Sequence, residues 1–171
     1  FALKGIVGPV ALIATTDEEV GSQTSKDLII EVSKKADAVL VLEASLDGKV
    51  KTGRKGTSMY QIKVHGRAAH AGLEPEKGVN ASVEIAHQVL QLSKLEDPAH
   101  GTTVVPTLMH SGTSTNTVPE LAVIDVDARS FQTSELERVD KAIKSFKANH
   151  PEAKLEIVGG LNRPPLRRFP V

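Results

Sequence analysis

The stretch Leu121–Arg129 constrains the fold most. Ala122, Ile124, Val126 and Ala128 take one set of alternate positions, and Val123, Asp125, Asp127 and Arg129 take the other. A period of two with one apolar and one charged face predicts a strand whose sheet is covered on one side only, which is the antiparallel habit. Tyr60–His65 repeats the pattern. Around these lie a helical stretch from Asn80 to about Leu95, with Val83, Ala86 and Leu90 as its apolar stripe, and a strand over Thr102–Met109. Ser134-Glu135-Leu136-Glu137 reads as a capping box opening a second helix, with Leu136, Val139, Ile143 and Phe146 facing inward. Leu155–Val158 is a last strand. The order over 57–158 is therefore βαββαβ, the ferredoxin-like arrangement, with both helices expected on one face of a four-stranded sheet.

The first third of the chain follows another rule. Pro9–Ala14 and Ala38–Leu42 are continuous apolar runs, as in strands buried on both faces. A helix capped by Thr24 or Ser25 and running to about Lys35 separates them. That spacing predicts a parallel βαβ unit. It is too small to fold alone, because its sheet lacks neighbouring strands and covering helices. The polar, Gly-rich segment Asp47–Gly56 reads as a linker. The expected fold class is thus a partial parallel α/β piece (βαβ) joined to a ferredoxin-like α+β domain. The boundaries are residues 1–55, 56–161 and a return segment, 162–171, leading back to the first piece.

Three consecutive carboxylates, Asp17-Glu18-Glu19, stand where the first run should end, and Glu43 stands where the second ends. Carboxyl ends of parallel strands are where α/β sheets build their sites. Clustered carboxylates need solvent or a cation. Composition narrows the partners. The 21 basic and 21 acidic residues give no net charge, and four Phe, one Tyr and no Trp leave few stacking rings, so nucleic acid is excluded as the expected partner. No apolar run approaches the roughly 20 residues of a membrane span. The absence of Cys fits any compartment. The chain opens mid-pattern without Met, which reads as a fragment or a processed chain.

The ordered motifs Thr16-Asp17-Glu18-Glu19-Val20-Gly21-Ser22, Glu43 after its apolar run, Gly66-Arg67-Ala68-Ala69-His70-Ala71-Gly72, Gly78-Val79-Asn80-Ala81, Asn116-Thr117-Val118-Pro119 and Asp127-Ala128-Arg129 resemble the co-catalytic zinc aminoacylases and carboxypeptidases. That family includes glutamate carboxypeptidase, acetylornithine deacetylase and succinyl-diaminopimelate desuccinylase, and the likeness is nearest to the first. The resemblance implies a hydrolase using two zinc ions. Glu18 matches its general base, and Glu19 and Glu43 match ligands to different zincs. His70 matches a His that stabilises the oxyanion in a neighbouring subunit's site. Asn116 and Arg129, with Arg163, match groups that hold a substrate carboxylate. The ferredoxin-like unit matches a lid that also forms a homodimer.

The chemistry stands without the family. Two metals polarise a water and a carbonyl oxygen, a free carboxylate moves the proton, and an Arg fork suits a carboxylate. The resemblance also requires two His ligands and a bridging Asp that this sequence does not supply, since His65, His87, His100, His110 and His150 stand in other contexts. The chain alone is therefore expected to bind zinc weakly or not at all and to be inactive. The expected substrate is an N-acyl amino acid or a peptide with C-terminal Glu. A deacetylase or desuccinylase is the alternative within the class, and a non-catalytic dimerisation module the alternative outside it. At single residues, Arg129 has a rival role as an ion pair with Asp127 on a wet sheet face. His70 has one as an ordinary surface His, and the Val83–Ala86–Leu90 stripe is either core or dimer contact.

Overall fold

The computed structural model describes residues 8–45, 47–49 and 51–166. The chain divides into two compact units, residues 1–48 and 49–171. The first holds a short 3-10 turn, Glu18–Val20, and helix α1, Lys26–Ser33. Asp17 closes the turn onto the helix start: its Oδ2 accepts from the Thr24 N–H and hydroxyl, both at 2.8 Å, and from the Ser25 N–H at 3.1 Å. The helix falls where expected. The two flanking strands do not form, and this corrects the parallel βαβ reading: neither 9–15 nor 38–42 is paired with another strand. Leu12, Leu40, Val41 and Leu42 are 78–85% exposed. A parallel pair is stable only when both faces are covered, and a unit with one eight-residue helix cannot cover them.

The second unit carries strands β1 (Gly56–His65), β2 (Ala69–His70), β3 (Thr103–Ser111), β4 (Thr117–Val118), β5 (Leu121–Ser130) and β6 (Lys154–Arg163). Helix α2 spans Ala81–Ser93 and helix α3 spans Thr133–Lys144. The long strands form one antiparallel sheet in the order β3-β5-β1-β6, the ferredoxin-like topology. The protein is thus of mixed α and β class, with its sheet antiparallel throughout the described residues. β2 and β4 make a separate two-stranded ribbon.

The alternation sets the layers. Tyr60, Ile62 and Val64 of β1 and Ala122, Ile124, Val126 and Ala128 of β5 are buried against Ile85 and Leu92 of α2 and Val139 and Ile143 of α3. Each of the Ile, Leu and Val side chains among them contributes about 1.5–3 kcal/mol by leaving water. Met59, Gln61, Lys63, Asp125, Asp127 and Arg129 take the opposite, uncovered face.

Both helices differ from expectation in detail. The α2 stripe turned to the core is Ala81, Ile85, Gln88 and Leu92, whereas Val83, Ala86 and Leu90 point outward. The helix is apolar on two sides, so periodicity alone did not pick the inner one. In α3, Leu136, Val139 and Ile143 are buried as expected, with Phe146 packed partly against them. The capping box is absent: the N-cap is Gln132, without a side-chain cap bond. Glu135 turns instead to Arg138.

The chain enters and leaves this unit at one end of the sheet. Arg54 and Leu166 exchange both backbone hydrogen bonds at 2.9 Å, just before β1 and just after β6. Residues 1–7 and 167–171, the latter being half of the expected return segment, lie outside the described residues.

Candidate functional site

The loop after β1 is folded on itself by backbone bonds. Arg67 and Val79 exchange both N–H···O bonds, at 3.0 and 2.9 Å, and Gly66 N–H donates to Glu120 O at 2.7 Å. A Cβ on Gly66 would lie 2.1 Å from Val79 O, so this crossing demands glycine. A Cβ on Gly78 would meet Val118 Cγ1 at 2.8 Å, so the floor of the β2–β4 ribbon is equally tight.

The ribbon brings two of the expected site residues together. His70 of β2 lies opposite Thr117 of β4, and Ala71 N–H donates to Asn116 O at 2.8 Å. Both side chains are exposed. The Asn116 carboxamide oxygen accepts from the Ser114 hydroxyl at 3.1 Å and lies 3.4 Å from the Thr117 hydroxyl. His70 Nδ1 accepts from the N–H groups of Gly72 and Leu73, each at 3.1 Å.

A frame holds this loop from behind. The Arg67 guanidinium donates to Lys77 O at 2.7 Å and to Glu152 at 2.9 Å. Glu152 belongs to the segment before β6, and that segment hangs on Glu84 of α2. Glu84 is 2% exposed and accepts from the N–H groups of Asn149 and His150, both at 2.9 Å, and from Gln88 Nε2 at 2.7 Å. Burial opposes its charge, but the Asn149 and His150 N–H groups and Gln88 outweigh it and hold the carboxyl below its ordinary range.

The two expected arginines lie elsewhere. Arg129 and Arg163 both face Thr57, on the strands flanking β1, which separates their Cα atoms by about 10 Å. His65, at the far end of β1, stands eight residues from Thr57, or about 26 Å of strand, and the His70 loop starts beyond it. Arg129 binds Asp127 through two parallel bonds, Nε to Oδ1 at 2.8 Å and Nη2 to Oδ2 at 2.9 Å, and that carboxylate raises its pKa.

Glu18 and Glu19 are exposed on the 3-10 turn of the first unit, and Glu43 is exposed at the end of its apolar run. Among the described residues, none of the three joins a group of three potential ligand atoms. The residues present therefore fall short of a zinc ligand set. The trio that does meet is Asp97, His100 and Glu135, in the second unit. His100 Nδ1 lies 2.7 Å from Asp97 Oδ2, while Glu135 receives Arg138 through two bonds, at 2.9 and 2.8 Å, and Thr102 at 2.9 Å. Arg138 supplies the cation that these carboxylates need, so the trio is an ion-paired clasp between the loop after α2 and the start of α3. Sequence reasoning passed over it. Its trace is the i,i+3 pairs Asp97/His100 and Glu135/Arg138.

Residues 52–154, more than half of the chain, match the peptidase dimerisation domain of the M20 family. The chain belongs to this family. Among M20 relatives, carboxypeptidase G2 of Pseudomonas sp. is 33% identical over 161 residues, covering 92% of this chain and 39% of the relative. Acetylornithine deacetylase of Buchnera aphidicola is 28% identical over 154 residues, covering 83% and 40%. The chain therefore spans about two-fifths of the length of these curated relatives. The aminobenzoyl-glutamate utilization protein of Klebsiella pneumoniae superposes with a TM-score of 0.54 at 29% identity, covering 62% of this chain and 28% of that one. The aminopeptidase PepT of Bacillus cereus shares the fold, with a TM-score of 0.54 at 24% identity over 70% of this chain and 32% of that one. M20 membership places the chain among zinc aminoacylase and carboxypeptidase relatives, a family of peptidases and amidohydrolases. No helix among the described residues is long and apolar enough to cross a membrane.

Proposed function

We propose that the chain is the lid, with part of the catalytic domain, of a homodimeric M20 metallohydrolase that cleaves an amide bond beside a free carboxylate. The observation that carries this reading is the division of the expected substrate groups. His70 and Asn116 belong to the ribbon near the His65–Leu121 end of the sheet, and Arg129 and Arg163 face Thr57 at the other end, about 26 Å of strand from His65. One small acyl amino acid cannot touch both ends. Two such lids related by a twofold axis present each end to a different substrate, so His70 and Asn116 serve the partner's site while Arg129 and Arg163 serve their own. The outward α2 stripe of Val83, Ala86 and Leu90 suits the dimer contact. It lies beside β3, one of the two edge strands, whose register puts the exposed Met109 on the helix-covered face.

In this reading Glu18 is the proton shuttle, and Glu19 and Glu43 are ligands to two different zinc ions. The remaining ligands come from outside this sequence, so the isolated chain holds zinc weakly and has no activity. The names of the relatives support an N-acyl amino acid or a peptide with C-terminal Glu as substrate. A deacetylase or desuccinylase specificity is separated from this by comparing kcat/KM for N-acetylornithine, N-succinyl-diaminopimelate and aminobenzoyl-glutamate in the longer enzyme.

The test is subunit complementation in the longer enzyme. His70→Ala and Glu18→Ala dimers, each inactive, are mixed after dissociation. With His70 acting across the dimer, half of the random pairs regain one intact site, and activity returns to about one quarter of wild type. No recovery would mean that His70 and Glu18 act within one subunit.

A further inference from the structure

The His70 turn fixes a proton. A backbone N–H only donates, and two of them, from Gly72 and Leu73, point at Nδ1 from 3.1 Å. A ring nitrogen that accepts cannot carry hydrogen, so the ring proton belongs on Nε2. The same residue's carbonyl receives Glu74 N–H at 3.1 Å, which closes the turn beneath the ring. We propose that Gly72 and Leu73 are positioning residues that hold His70 as the neutral Nε2–H tautomer, so that His70 meets a ligand as a hydrogen-bond donor and never as a base. With both amides on it, Nδ1 is taken and is closed to metal and ligand alike. The ligand atom that suits Nε2–H is an oxygen acceptor, a carbonyl or an oxyanion, and Nε2 binds no metal while it carries its proton.

The tautomer rests on the turn alone, and its use on a substrate rests on the role of His70 given above. Asn116 beside it follows the same logic, since its carboxamide oxygen is taken by the Ser114 hydroxyl and its amino group is left to donate. At both residues the side-chain acceptor is used within the loop and the N–H side is left to bind.

The experiment is ring-nitrogen NMR on the 171-residue chain labelled with 15N-histidine, with amide hydrogen exchange at Gly72 and Leu73. At neutral pH and above, the His70 signals should be those of an unprotonated Nδ1 and a protonated Nε2. His70→Ala should speed exchange at both amides by about tenfold, the equivalent of one lost hydrogen bond. His70→Asn, whose carboxamide oxygen stands in for Nδ1, should restore slow exchange, and His70→Gln should not. A protonated Nδ1, or amides indifferent to His70→Ala, would overturn the tautomer. In the longer enzyme, His70→Asn should lower kcat and leave KM nearly unchanged. An unchanged kcat beside the expected NMR would overturn the donor's role on the substrate and leave the tautomer standing.

Discussion

Asp127 holds Arg129 from two residues away on the same strand, through paired hydrogen bonds of 2.8 and 2.9 Å. Strand neighbours at i and i+2 share a face, so this pair is built by the period of the strand itself. Nε and one Nη2 hydrogen go to Asp127, which leaves the Nη1 side of the fork to bind. Asp127 therefore aims Arg129. In the longer enzyme, Asp127→Asn is expected to raise KM for the carboxylate-bearing substrate about fivefold, the scale of one weakened hydrogen bond, with kcat little changed. Steady-state kinetics read the split.

Glu84 is a buried carboxylate whose partners are backbone N–H groups. Glu84→Ala strands the Asn149 and His150 N–H groups and is expected to cost about 2–4 kcal/mol in urea unfolding. The sign with pH follows from its lowered pKa. A carboxyl that stays ionised more readily in the folded chain stabilises it fully above the ordinary glutamate value of 4.5, and that contribution fades as pH falls through the folded value. The stability gap between wild type and Glu84→Ala should be widest at neutral pH and shrink in acid.

The Asp97–His100 pair runs the other way. The Asp97 hydrogen bond raises the His100 pKa above its ordinary 6.5, with the Glu135 charge adding and Arg138 opposing. Its contribution is complete below 6.5 and is lost as pH rises through the folded value. Wild type should exceed His100→Gln in Tm at pH 6, and the difference should shrink as pH rises above 6.5. Zinc should leave Tm unchanged at both, because a metal at Glu135 would have to displace Arg138.

The outward α2 stripe makes a prediction in solution. Leu90→Asp is expected to shift the protein to monomer in light scattering while leaving the fold intact, since Leu90 is 62% exposed and takes no part in the core. A persistent dimer would move the contact elsewhere.

The ferredoxin-like half was legible because its strands alternate and its sheet is covered on one side; Ala122, Ile124, Val126 and Ala128 carried the topology almost unaided. The βαβ piece kept only its helix: continuous apolar runs describe what a strand needs, and the neighbours that the sequence itself shows to be missing are what would have let the two runs pair. Val83 and Leu90 misled because α2 is apolar on two faces, and only packing against Ile62 and Ile124 selects the inner one. Of the expected site residues, His70 and Asn116 were singled out through their Gly-rich and Pro-bounded motifs, and the ribbon brings those two together. Leu73 and Glu84 escaped notice, and Arg67 and Gly72 stood in the His70 motif without a role, because these supports act through backbone groups or through partners as far apart in sequence as Arg67 and Glu152.

The Arg54–Leu166 backbone pairing has a consequence for ancestry. A module whose two ends lie on adjacent strands can be spliced into a surface turn of a host fold at little loop-closure cost, because the host chain resumes where it was interrupted. The two units can then have separate histories, one retained while the other is exchanged.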